Sequence, residues 1–252
     1  MSRESIVEEL WDLRPIAEGD APVARIQSLD RSKQLITPEL AAEFSARGLD
    51  IRPRDTLADL AIQRAGMLIH CVPSLERIVL ECVRALLILD APDEWHDVSH
   101  SEPRWPNLIF VSLPPPTPVG DVRLAEAIVH EAMHLNLSFF ERRTPVIGKD
   151  RQLFSPWRLG SRPAGGVLHG VYVFASLLSF FEHLQHQEGL SLEQREHLRR
   201  RRADILEECS QVSRNELWNS LTGDGQAIAQ RIFETVDRRA PLRNFNCDTS
   251  LF

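Results

Sequence analysis

Apolar positions recur at helical spacing along most of the chain. Ile6, Val7, Leu10 and Trp11 do so within residues 3–13, where a first helix is expected. A second should open at Thr37-Pro38, because proline suits a first helical turn. "DTLADLAIQRAGMLIHCV" reads as a helix capped by Asp55 or Thr56, and "SLERIVLECVRALLIL" as a further one restarting from Ser74 beyond Pro73. "APDEWHDVSHSEPRWP" is loop chemistry, and it leads into the clearest strand, "NLIFVSL" at 107–113, which stops at three prolines. Asp121 is the expected cap of a helix running to about Phe140. A loop over 142–162 should follow, then the apolar helix "AGGVLHGVYVFASLLSFFEHL" behind Pro163, then helices over about 191–220 and 224–238. The pattern predicts a mainly α protein: one helical domain over 1–252 with a small β element.

Composition adds bounds to this picture. The 252 residues are 43% hydrophobic and 26% charged, so the chain can bury a large core. Net charge is −7, and the one basic run, "REHLRRRRA" at 195–203, is flanked by acidic residues. It reads as a solvated helix face, with no nucleic-acid partner expected. Four cysteines, at 71, 82, 209 and 247, show no paired spacing, which fits a reducing, cytoplasmic setting. The charged start "MSRESIVEELWDL" is no secretory signal, and no uninterrupted apolar stretch approaches the ~18 residues of a membrane span.

Chemistry concentrates at "HEAMH", residues 130–134. On a helix His130 and His134 sit about 40° apart around the axis and one turn apart along it, so both can address one ion. Ile128, Val129, Ala132 and Leu135 surround them with apolar surface. Polar groups buried there need partners, and a metal supplies one. Two core histidines satisfied by hydrogen bonds are the plain alternative. A catalytic metal asks for a third ligand. Leu137 and Phe140 exclude the longer zinc motif that needs glycine and histidine there, while Glu182 and Glu188 sit in no persuasive ligand pattern. His169, on the next helix among Gly165, Gly166 and Gly170, is the better candidate. His183, His186 and His197 lie on charged faces and are expected to be exposed.

Arg158 and Arg162 stand in "FSPWRLGSRP", leading into the His169 helix. Arginine suits bidentate carboxylate recognition, which a dicarboxylate-using oxygenase needs beside its metal and a peptidase does not obviously need. Surface arginines capping carbonyls are the alternative.

Together "HEAMH", "FSPWRLGSRP" and "GVLHGVYVF", preceded by "DVSHSEPRWPNLIFVSLP", resemble the HExxH-motif proteins of ribosomal peptide-modification gene clusters. The resemblance is strongest over about 97–180, within a core motif region of about 97–187. Some members of that family are Fe(II)- and 2-oxoglutarate-dependent hydroxylases acting at the β-carbon of residues in a precursor peptide. The resemblance implies His130, His134 and His169 as iron ligands, and Arg158 or Arg162 as the partner of the distal 2-oxoglutarate carboxylate. It implies O2 and a precursor peptide as further reactants, and gives Glu131 no settled role: orienting a ligand, contacting substrate, or ligating iron in place of a histidine, for which Glu182 is the other candidate. Asp97, His100 and Trp105 are the residues to test for holding peptide, with plain loop structure as the alternative. Two other classes stay open: a zinc metallopeptidase with Glu131 as general base, and a non-catalytic peptide-binding protein.

Overall fold

Helix α1 (Pro38–Ser45) begins where its proline suggests, with the Thr37 hydroxyl accepting from the Leu40 amide at 3.2 Å. The computed structural model describes residues 36–90, 97–102 and 104–240, so the helix expected over 3–13 lies outside the described residues. Asp55 caps α2 (Thr56–His70), accepting from the Ala58 amide at 2.8 Å. Pro73 occupies the first turn of α3 (Pro73–Cys82).

The helix expected to continue through "RALLIL" ends at Cys82, and Ala85–Leu89 forms a strand instead. A short apolar run fits a buried helix or a buried strand equally well by periodicity. Here it becomes the middle of a sheet ordered β1 (Ile51–Arg52), β2 (Ala85–Leu89), β4 (Leu108–Ser112), β3 (Ser99–Ser101). β2 pairs parallel with β4, Ala85 opposite Leu108 and Leu89 opposite Ser112, while the outer strands pair antiparallel. Strands covered on both faces read as continuous hydrophobic runs, which hides their period of two. Their alternation shows in the packing. Leu86, Ile88, Ile109 and Val111 join the helical core, while Ala85, Leu87, Leu89, Leu108 and Phe110 pack with Leu40 and Phe44 of α1.

Thr117 caps α4 (Pro118–Glu141), accepting from the Gly120 amide at 3.0 Å. The helix therefore starts a turn before the expected Asp121 cap, and Asp121 instead binds Arg64 of α2 at 2.9 Å. At 24 residues α4 is the longest element, packed against α2, α3 and both β3 and β4. The segment expected as a loop over 142–162 contains a hairpin, β5 (Gln152–Ser155) and β6 (Gly160–Pro163), joined through a 3-10 turn at Pro156–Arg158 and a left-handed Leu159.

Helix α5 (Ala164–Gln185) lies against α4. By length and composition it could cross a membrane, yet 78% of its most apolar window is buried inside the fold. It is the central core helix, apolar around its whole circumference because neighbours surround it. The single helix expected over 191–220 is two, α6 (Leu192–Ser210), opened by a Ser191/Gln194 capping box, and α7 (Arg214–Trp218). α8 (Gly223–Asp237) packs on α5. Eight helices and two small sheets among the described residues make the protein mainly α with a small β element.

Candidate functional site

Glu126, His130 and His134 recur every four residues along α4, and Glu141 follows His134 by seven, so one stripe of the helix is polar. It faces α5 and α6. Asn136 and Tyr172 hold α4 and α5 together by a bond from Asn136 Nδ2 to the Tyr172 hydroxyl at 2.6 Å. A half-buried amide and a buried hydroxyl satisfying each other fix how the helices slide past one another, and so set His134 beside His169.

His134 Nδ1 and His169 Nδ1 are 3.2 Å apart, with the rings nearly parallel at 17°. Without an ion, one nitrogen donates its proton to the other. Two imidazole nitrogens bound to one metal at about 2.0–2.1 Å would sit roughly 3.0–3.4 Å apart, so the spacing fits shared ligation. His169 Nε2 pairs with Glu141 Oε2 at 2.9 Å. A carboxylate on the far nitrogen is the usual support of a metal-binding histidine, because it fixes tautomer and ring orientation. The His130 ring stands edge-on to His134, with centroids 4.8 Å apart. Among the described residues no three His, Cys, Asp or Glu side chains form a ready metal-binding group, so the expected ligands meet in pairs and not as a closed triad.

Burial holds both motif histidines neutral. His130 is lowered to about 4, with Arg201 and Arg158 adding repulsion. His134 is lowered to about 3, with smaller effects from His130, His169 and Arg162 outweighing the opposite pull of Glu131. A neutral imidazole keeps the lone pair a metal needs.

Glu131 points elsewhere. Its two oxygens accept hydrogen bonds from Ser99 and Ser101, each at 2.6 Å, and it is 4% exposed. It thereby ties the HExxH helix to edge strand β3, which the loop expectation for this segment missed.

The hairpin brings up both arginines. Trp157 lies over α5 where Gly170 removes the side chain that would occupy the same space, and Arg162 lies over Gly166 in the same way. Arg158 stands exposed on the turn and Arg162 is half-buried. The charge of Arg158 lowers the Arg162 pKa after burial, so the guanidiniums are close enough to repel. Neither has a carboxylate partner among the described residues.

Phe174 closes the other side, with His130 at 5.9 Å, Trp157 at 5.3 Å between ring centroids, and Arg201 over its face at 5.7 Å. Arg201 binds Glu126 at 2.8 Å. The basic run is thus only half solvated: Arg199 and Arg200 are exposed, while Arg201 and Arg202 turn inward. Glu126, Glu141 and Arg201 escaped the sequence reading, although the four-residue spacing of Glu126 from His130 marks the stripe.

The remaining candidates have structural partners. Asp97 pairs with Arg123 at 2.6 Å, His100 with Glu102 at 2.6 Å, and Trp105 packs on Phe44 and Phe110. Glu182 pairs with Arg239 at 2.8 Å. His183 and His186 are exposed as expected, Glu188 is exposed too, but His197 is half-buried, and burial lowers its pKa. A cleft of about 540 Å³ reaches His169 and Glu141, walled by Pro145, Ile147 and Pro163. No protein-family model matches the chain, and no curated protein matches it either.

Proposed function

We propose that this protein is an Fe(II)- and 2-oxoglutarate-dependent oxygenase that hydroxylates the β-carbon of a residue in a ribosomal precursor peptide. The observation that carries the reading is the pair of uncompensated guanidiniums, Arg158 and Arg162, set beside neutral histidines. Neither guanidinium has a carboxylate partner among the described residues, and a dicarboxylate would supply one.

One pair of donors suits a shared metal, the His134 and His169 nitrogens at 3.2 Å with a carboxylate behind His169, and the His130 ring stands edge-on to His134 beside that pair. His130, His134 and His169 would hold the iron, whose chemistry, with O2, couples decarboxylation of 2-oxoglutarate to succinate with conversion of a substrate C–H to C–OH. The rest is the work of the chain. Burial keeps His130 and His134 unprotonated, Glu141 orients His169, and an arginine fixes the far carboxylate of the co-substrate. Phe174 and Trp157 exclude water from the reacting centre.

The zinc-peptidase alternative retains the motif itself, but both oxygens of its required base, Glu131, already accept from serine hydroxyls. A peptide encoded beside this gene, incubated aerobically with the protein, Fe(II) and 2-oxoglutarate, should gain the mass of one oxygen atom. Cleavage of that peptide with Zn(II) instead, lost in Glu131→Gln, would establish the peptidase.

A further inference from the structure

Each strand of the β5–β6 hairpin has a single neighbour among the described residues, so each leaves one outer edge. The Ala164 amide donates to the Arg151 carbonyl at 2.8 Å, one step before the pairing of Gln152 with Pro163. Antiparallel pairs alternate between bonded and non-bonded, so the inter-strand bonds fall on Leu153–Arg162 and Ser155–Gly160. The backbone groups of Gln152 and Phe154 therefore point outward from β5, and those of Ser161 and Pro163 from β6. None of them has a hydrogen-bond partner among the described residues. Pro163 has no amide to offer, which blunts the β6 edge, whereas β5 presents two amides and two carbonyls. Proline, charge or a bulge ordinarily protects such an edge, because unpaired backbone is a template for another chain. β5 has none of them: its sequence is QLFS, its register is unbroken, and Phe154 is 51% exposed.

The base of the hairpin opens on the candidate site. Asp150, just before β5, and Pro163, opposite Gln152, both line the cleft that reaches His169 and Glu141. We infer that the precursor peptide binds in extended form as a third strand on β5, with an apolar side chain packed on Phe154 and its neighbouring residues led into that cleft. A strand advances about 3.3 Å per residue, so a segment paired with Phe154 and Gln152 brings its next two or three residues to the cleft mouth. Backbone pairing supplies affinity, and Phe154 supplies preference for an apolar residue two or more positions from the one modified. The substrate is thus an extended segment and not a helix. This rests on reading the protein as a peptide-modifying oxygenase.

Fluorescence anisotropy tests the strand, with the labelled peptide encoded beside this gene titrated by the full chain. Gln152→Pro removes an outward amide and no bond within the hairpin, so it should weaken binding about tenfold. Phe154→Ala should weaken it about threefold to fivefold, and Ser161→Pro, on the other edge, less than about twofold. Single N-methyl amides in the peptide give a readout that leaves the protein intact: losses of about tenfold should recur at every second position. No loss in Gln152→Pro and no two-residue period would overturn the strand, and loss in Ser161→Pro alone would move it to β6. Dimerisation of the chain that Gln152→Pro abolishes would make a second copy the occupant. Peptide bound with the two-residue period but never oxygenated would sink the oxygenase reading and leave the strand. Equal oxygenation and equal KM in wild type and Gln152→Pro would do the reverse.

Discussion

Glu141 stands behind His169 and decides which way that ring faces. Its carboxylate on Nε2 leaves Nδ1 turned towards His134. Glu141→Gln keeps the size but removes the charge, and should weaken metal binding about tenfold to a hundredfold, read by competition with a chromogenic chelator. Unchanged affinity would confine Glu141 to a surface ion pair. The motif histidines make a second residue-scale prediction. Their pKa values in the fold, about 4 for His130 and about 3 for His134, lie below the ordinary 6.5. The unfolded chain therefore binds protons first as pH falls. Stability of the metal-free protein should be fullest above about pH 6.5 and decline towards pH 4, by up to about 1.4 kcal/mol per pH unit for each histidine. Urea denaturation at a series of pH values checks this, and replacing either histidine by glutamine should flatten the slope. At this scale the sequence was legible where chemistry clusters locally, as in His130 and His134. Glu141 and Arg201 were not, because their partners come from other elements and only packing brings them close.

Elements were legible where amphipathicity or capping was strong. Asp55 and Thr37 mark true helix starts because each side-chain oxygen satisfies a free amide of the first turn. The segment "ALLIL" was misread because a strand buried on both faces loses its alternation. The β5–β6 hairpin was missed because its turn, Pro156–Arg158 followed by left-handed Leu159, carries no two-residue glycine signal. That hairpin depends on α5 through Gly170, where an added methyl would collide with the Trp157 indole. Gly170→Ala would ordinarily favour a helix. Here it should destabilise the protein by about 1–3 kcal/mol in chemical denaturation and displace the arginine-bearing turn. A gain in stability would show that Trp157 moves aside freely and that the hairpin is not anchored there.

For the whole molecule, helical periodicity predicted a mainly α protein and composition a large core, and the described residues form that core around α5. What composition could not show is the division of labour within HEAMH. The stripe holding His130 and His134 faces α5 and α6, whereas Glu131 turns to the sheet and secures β3. The motif thus joins the helical layer to the sheet while setting His134 against His169 of α5. As proposed, this junction runs an oxidation driven by 2-oxoglutarate, and succinate is its obligatory by-product. Succinate formation by the Fe(II)-loaded protein with O2 and the peptide encoded beside its gene tests it most directly. One succinate should form per hydroxylated peptide, and none without O2 or in His134→Ala. Peptide modified or cleaved with no succinate formed would contradict it.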